Sequence, residues 1–180
     1  MSKIRVAING FGRIGRITFR KLIENDQMEV IAVNDLADTA TLTHLLKYDS
    51  VHGRFAGVAE NKGDHLLVNN KKVLVFSQED PGKLPWKGLS IDVVIESTGR
   101  FVSRQDAIRH VTESGAGKVI ISAPAKNESD DVKYVVLGVN DDIIDRNDVI
   151  ISNSSCTTNN VAPLIMILDK HWGIERAFIT

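Results

Sequence analysis

The chain has 180 residues, 22 Lys and Arg against 23 Asp and Glu, a single Cys, and 43% apolar and 25% charged residues. That length fits one domain, or one domain and the start of a second, and the apolar fraction is too high for a disordered chain. Near-neutral charge gives no case for a polyanion-binding tail, so neither nucleic acid nor an acidic membrane is an expected partner. A lone Cys cannot form an internal disulfide and fits a reducing, cytoplasmic location. The longest apolar run, Val161 to Leu168, contains Pro163 and falls well short of the ~20 residues of a membrane span. Lys3 and Arg5 put charge where the apolar core of a signal peptide would lie, so secretion is not expected.

Strand and helix signals alternate from the start. Ile4 to Ile8 reads as a strand, Gly10 to Gly15 as a glycine-rich turn, and Ile14 to Ile23 as a helix. Val30 to Val33 is a second strand closed by Asn34-Asp35. Thr39 to Leu46 is a short helix with Leu42, Leu45 and Leu46 inward. Residues 47–90 are less regular, with strand pieces at Leu66 to Val68 and Lys72 to Phe76 around a turn at Asn69-Asn70. Pro81-Gly82 and Pro85 punctuate the chain. Val93-Val94-Ile95 is a continuous apolar run suited to a strand covered on both faces. Ser103 and Asp106 resemble a capping box opening a helix to about Glu113, which Gly115 and Gly117 end. Val119 to Ile121, Val135 to Val139 and Val149 to Ile151 are read as further buried strands. A last helix starts near Cys156 and runs to His171, with Val161, Leu164, Ile165, Leu168 and Trp172 at helical spacing and Gly173 as its stop. Ile174 to Ile179 reads as the beginning of another strand. The alternation predicts a mostly parallel sheet with helices on both faces.

Gly10-Phe11-Gly12-Arg13-Ile14-Gly15 has the G-x-G-x-x-G spacing, which alone also serves ordinary turns. Here a strand precedes it, a helix follows it, and Asp35 ends the next strand 20 residues after Gly15. Gly10 permits the tight turn, Gly12 lets the backbone approach a pyrophosphate, and Gly15 lets helix and strand pack closely. The amides of Arg13 and Ile14 open the helix, where unpaired N–H groups and the helix dipole favour an anion. Asp35 is either a turn acid or the acceptor for both ribose hydroxyls of an adenosine. The combination predicts an α/β, Rossmann-type, doubly wound fold. A carboxylate at position 35 repels a 2′-phosphate and Leu36 supplies no cation, which favours NAD over NADP; Arg13 and Arg16 are the nearby cations that would counter it.

Cys156 lies in Asn153-Ser154-Ser155-Cys156-Thr157-Thr158-Asn159, between a strand and a helix. Its polar surroundings argue against a buried filler. A helix start stabilises a thiolate, and the same amides suit an oxyanion. Ser155 and Thr157 flank the sulfur with hydroxyls able to bind phosphate oxygens. The other reading is that these Ser, Thr and Asn residues only cap the helix. A nicotinamide cofactor beside a thiolate suits aldehyde oxidation through a hemithioacetal and a thioester, and needs a general base.

The motifs Val6 to Arg16, Asn34-Asp35, His44 to Ser50, His52 to Phe55, Glu96 to Gly99, Ile121 to Pro124, Gly138 to Asn140 and Ser155 to Asn159 occur in the order found in phosphorylating glyceraldehyde-3-phosphate dehydrogenases, and the chain resembles the N-terminal half of that family. The resemblance implies that residues 1–155 form an NAD-binding domain and 156–180 begin a catalytic domain with its first helix and strand. It implies Cys156 as nucleophile and Ser155 and Thr157 as contacts to substrate or inorganic phosphate. Asn9, Arg13, Ile14 and Asp35, with the glycines 10, 12 and 15, would hold the adenosine diphosphate part. Ser97, Thr98, Gly99, Phe101 and Ser122 would line the cofactor cleft. No metal is expected. The implied reaction oxidises glyceraldehyde 3-phosphate with NAD and phosphate to 1,3-bisphosphoglycerate, in a homotetramer.

Two positions depart from the family pattern: Glu79 stands where Arg often precedes Asp-Pro, and Asn160 where a second Cys is common. The resemblance also implies a catalytic His a few residues beyond Thr180. None of the five His present is a good substitute: His44, His52 and His65 precede the core motifs, His110 sits in a surface-like helix, and His171 lies roughly 22 Å along the axis of the Cys156 helix. The 180-residue chain alone is therefore expected to be inactive, with the Cys156 helix and the Ile174 strand poorly covered. The competing readings are erythrose-4-phosphate dehydrogenase and a non-catalytic nucleotide-binding module.

Overall fold

The computed structural model describes residues 2–126 and 132–179. Strand β1 (Ile4–Asn9) leads through the glycine turn into helix α1 (Arg13–Leu22) and back to β2 (Met28–Asn34). Helix α2 (Thr39–Lys47) follows, capped by the Asp38 side chain, which accepts from the Thr41 amide. Four short strands come next: β3 (Tyr48–Asp49), β4 (Gly53–Arg54), β5 (Ala59–Asn61) and β6 (His65–Val68). β7 (Lys71–Phe76) and β8 (Val93–Glu96) return to the main sheet. Helices α3 (Arg104–Ala107) and α4 (Arg109–Thr112) precede β9 (Lys118–Ile121). β10 (Lys133–Tyr134), β11 (Ile150–Ser152) and α5 (Cys156–Trp172) complete the described chain.

The described residues form a nine-stranded sheet in the order β10-β11-β9-β8-β1-β2-β7-β6-β5, beside the small β3-β4 pair. From β10 to β7 every pairing is parallel, and β6 and β5 extend the edge antiparallel. Because successive strand side chains point to opposite faces, the apolar runs feed two cores. Ala7, Val94, Val119 and Ile121 pack on one face with Trp86 and Ala107. Ile8, Val30 and Val33 pack on the other with Phe11, Phe19, Leu42 and Leu46. Phe11 and Phe19 meet edge to face at 5.4 Å, and each fully buried side chain of this size contributes roughly 1.5–3 kcal/mol. β1 is flanked by β2 and β8, so the chain changes direction across the sheet at this strand, where open α/β sheets form their crevice.

The expected doubly wound, mostly parallel sheet is thus present. The Asn69-Asn70 turn joins β6 and β7 with both residues left-handed (φ 49° and 63°), the geometry of a two-residue hairpin loop. Three expectations need correction. Val135 to Val139 is not a strand: β10 ends at Tyr134, and Gly138 (φ 78°) turns the chain while the Asn140 side chain accepts from the Val136 amide and donates to the Tyr134 carbonyl. Ile174 to Ile179 has no strand partner among the described residues and is irregular, because a segment becomes a strand only beside another. The helix opened by Ser103 is divided at Ile108 into α3 and α4, although the Ser103 hydroxyl caps it by accepting from the Asp106 amide. α5 forms where expected but buries no residue, and Leu164, Leu168 and Trp172 lie exposed. Among the described residues no helix is long and apolar enough to cross a membrane.

Candidate functional site

The glycine turn is built against the end of β8. The Ser97 hydroxyl bonds the carbonyls of Asn9 (3.1 Å) and Gly10 (2.7 Å), and the Gly10 amide donates to the Asn34 carbonyl (2.8 Å). Gly10 has φ 90°, and a Cβ there would lie 2.6 Å from the Thr98 nitrogen. A Cβ on Gly15 would lie 2.0 Å from the Gly10 carbonyl oxygen. Both positions are closed to any larger residue. Gly12 is different: nothing lies within 4 Å of its would-be Cβ. It is the N-cap of α1, with no side-chain cap and no acidic residue in the first turn. The opening amides of α1 therefore face an open cradle beside the helix dipole, which suits an anion.

Beside the turn lies a cleft of about 230 Å³ lined by Asn9, Gly10, Gly12, Asp35, Ser97, Thr98 and Phe101, all named from sequence, together with Asn34, Leu36, Gln78, Glu79 and Arg100. Asp35 is held by two amides, Phe11 to Oδ2 (2.8 Å) and Ala37 to Oδ1 (3.0 Å). A carboxylate has about four acceptor sites, so two remain for a pair of ligand hydroxyls. Asn9 lines the cleft but its side chain is engaged below it, donating to Glu96 (2.6 Å) and accepting from Asn34 (2.7 Å).

Arg13, Ile14, Gly15, Gly99 and Ser122 are not part of the cleft lining. Arg13 and Ile14 sit exposed on the first turn of α1, Gly15 serves the packing of α1 on the turn, and Ser122 follows β9, its amide bonded to the Glu96 carbonyl. Cys156, Ser155 and Thr157 also lie outside the lining. Cys156 is exposed and is the first residue of α5. The Ser155 hydroxyl accepts from the Thr158 amide (2.9 Å), so the capping role read from sequence is present. Parallel pairing nonetheless brings the pieces to one side. The glycine turn follows β1, Ser97 to Phe101 follow β8, Ser122 follows β9 and Cys156 follows β11, all at the carboxyl edge of the sheet. Three strand spacings, roughly 14 Å, separate β1 from β11.

Sequence reading named Asn34 and Leu36 only as neighbours of Asp35 and missed Gln78 and Arg100. Gln78 follows β7 at the same carboxyl edge, so recognising β7 as a parallel neighbour of β2 would have found it. His110, expected at the surface, is fully buried between Trp86 and Glu96. Outside the cleft lining, Arg109 bonds Asp80 (2.6 Å) and Glu113 (2.8 Å), and its guanidinium holds the Glu113 carboxyl below its usual range. His44 packs on Tyr48, and His65 pairs with Asp64. Among the described residues no group of three or more His, Cys, Asp or Glu is placed to hold a metal ion.

Residues 4–104 match the family model described as glyceraldehyde 3-phosphate dehydrogenase, NAD binding domain. The chain is 54% identical over 171 residues to glyceraldehyde-3-phosphate dehydrogenase of Mycoplasma pneumoniae, covering 95% of this chain and 50% of that relative. It is 52% identical over 178 residues to the Geobacillus stearothermophilus enzyme of that name, covering 98% and 52%. It is 50% identical over 179 residues to glyceraldehyde-3-phosphate dehydrogenase 2 of Bacillus subtilis, covering 99% and 52%. The chain spans about half the length of the curated relatives it matches. An open glycine cradle, a braced carboxylate at the end of β2 and a match over the whole first βαβ unit agree: the chain belongs to the glyceraldehyde 3-phosphate dehydrogenase NAD-binding family, and its cofactor is NAD.

Proposed function

We propose that this chain is the cofactor-binding and nucleophile-bearing part of an enzyme that oxidises glyceraldehyde 3-phosphate with NAD and phosphate to 1,3-bisphosphoglycerate. The observation that carries this reading is the shared carboxyl edge of the sheet, which has the glycine cradle after β1 and an exposed Cys156 opening α5 after β11. In this reading residues 1–155 are the NAD-binding domain and 156–180 open the catalytic domain. Gly10, Gly12 and the amides of Arg13 and Ile14 receive the pyrophosphate, and Asp35 takes the adenosine ribose. Ser97, Thr98, Gly99, Phe101 and Ser122 continue the cleft towards Cys156. Bound NAD supplies the hydride acceptor. The Cys156 thiolate forms a bond to the aldehyde carbon, and the adduct becomes a thioester once hydride has left that carbon. Ser155 and Thr157 hold substrate or inorganic phosphate, whose oxygen then displaces the sulfur and restores the thiolate. The homotetramer and the cytoplasmic setting belong to the same reading. The test is NADH formation by the protein that carries this chain, supplied with glyceraldehyde 3-phosphate, NAD and phosphate. No NADH under these conditions overturns the assignment.

Two expectations accompany the proposal. Asp35→Asn keeps the shape but loses one charged acceptor, so NAD affinity measured by calorimetry should fall about tenfold or more, with a smaller loss for NADP. An unchanged preference between the two cofactors would remove Asp35 from ribose recognition. Residues 1–180 by themselves should give no steady turnover, because their histidines are placed elsewhere: His110 is buried in a hydrogen-bonded pair and His171 is near the far end of α5. Purified 1–180 chain that made NADH continuously would show that no further base is required.

A further inference from the structure

We infer that Glu96 and His110 are positioning residues that fix the walls of the NAD cleft from beneath it, an inference that rests on the cleft's being the cofactor site. The Glu96 side chain has no exposure and collects four donors. Its Oε1 accepts from the Thr98 amide (2.8 Å) and the Thr98 hydroxyl (2.5 Å). Its Oε2 accepts from Asn9 Nδ2 (2.6 Å) and His110 Nε2 (3.1 Å). Beyond Asn9, the Asn34 amide donates to Asn9 Oδ1 (2.7 Å) and to the Gln78 carbonyl (2.8 Å), and Asn34 Oδ1 accepts from the Gln78 amide (2.8 Å). Asn9, Asn34, Gln78 and Thr98 all line the cleft, on both sides of β1.

The chain of bonds has one direction, set at its far end. The Trp86 indole can only donate, and it donates to His110 Nδ1 (3.0 Å). Nδ1 therefore holds a lone pair, the ring hydrogen is on Nε2, and His110 donates to Glu96. Asn9 Nδ2 and His110 Nε2 lie 3.4 Å apart because both aim at the same oxygen. With Glu96 accepting throughout, Asn9 and Asn34 each have one possible amide orientation. Thr98 spends its hydroxyl hydrogen downward on Glu96, so it offers a ligand only acceptor character. A buried carboxylate is a costly hub, and well-packed apolar side chains of like volume commonly serve stability better. What the hub provides here is a fixed pattern of donors and acceptors on two cleft walls from residues that do not touch the ligand.

The experiment compares His110→Phe, His110→Gln and Trp86→Phe with the parent chain, reading NAD affinity by calorimetry and the His110 ring hydrogen by nitrogen-15 NMR. The parent should bind NAD and carry its hydrogen on Nε2. His110→Phe removes the donor and should weaken NAD about tenfold, the equivalent of one lost hydrogen bond to a charged group. Gln has an acceptor for Trp86 and a donor for Glu96, so His110→Gln should restore binding to within about threefold of the parent. Trp86→Phe keeps an aromatic ring in the core but removes the donor to Nδ1, so the ring is oriented by Glu96 alone; its hydrogen should stay on Nε2, facing the carboxylate, and NAD should bind more weakly than to the parent, which decides the case if His110→Phe does not fold. Folded His110→Phe with parental affinity, His110→Gln as weak as His110→Phe, a parent ring hydrogen on Nδ1, or Trp86→Phe with parental affinity would each overturn the inference. A parent chain that fails to bind NAD would overturn the cofactor reading itself.

Discussion

Gly15→Ala should be among the most damaging single-methyl changes in the chain. The new Cβ would lie 2.0 Å from the Gly10 carbonyl oxygen and 3.0 Å from Ser97 Oγ. The carbonyl has no freedom to retreat: it accepts from Ser97, and the Gly10 amide is bonded to Asn34. Helix α1 must therefore move off the turn. Replacing a helical Gly by Ala ordinarily gains ~1 kcal/mol, but overpacking of this kind costs about 3 kcal/mol or more, so the clash wins. Urea unfolding should show a net loss of about 2 kcal/mol or greater. NAD affinity should drop by roughly a hundredfold, since a shift of an ångström is enough to spoil the α1 amides as hydrogen-bond donors. Gly12→Ala makes the informative contrast. Gly12 is open to solvent and has an ordinary φ of −71°, so the substitution should cost about 1 kcal/mol or less in stability, the usual penalty for Ala at an N-cap. If a pyrophosphate rests on that turn, the methyl group should still weaken NAD strongly. Gly12→Ala binding NAD as well as the parent would move the phosphates elsewhere, whatever Gly15→Ala does.

These two glycines also show what the sequence makes legible. Their spacing, the preceding strand, the following helix and Asp35 name a dinucleotide cradle, because each serves a local requirement that residue type states directly. The Asn69-Asn70 hairpin is legible for the same reason: two left-handed residues in a row need Asn or Gly. One failure is local and the others are not. Val135 to Val139 has the composition of a strand, yet Gly138 and the Asn140 side chain divert it into a turn. Ile174 to Ile179 has strand composition and no neighbour among the described residues. His110 reads as an exposed helical residue because nothing beside it in sequence signals Trp86, which is 24 positions away and meets it only through packing. Gln78 enters the site by lying at the end of a parallel strand, a fact of topology rather than composition.

Cys156→Ser should separate cofactor binding from chemistry more sharply than any other change. The sulfur is exposed on the first residue of a 17-residue helix, and Ser155, not Cys156, carries the capping bond to Thr158. Replacing the thiol by a hydroxyl thus leaves the cap, the helix and the glycine cradle three strands away untouched. NAD affinity should stay within about twofold of the parent, as expected for sites with no shared partner. Serine ionises far less readily than cysteine and is a much weaker nucleophile, so it cannot take the place of the thiolate. In the protein that carries this chain, aldehyde-dependent NADH formation should fall by a factor on the order of 10⁴ or more, the scale seen when a covalent nucleophile is removed. The loss should fall on kcat, because the sulfur acts on the reacting carbon and not on the remainder of the substrate. Turnover within about tenfold of the parent would take the sulfur out of the reaction while leaving the cofactor site intact. A parallel loss of NAD binding would instead place Cys156 in the cofactor site and not in the chemistry.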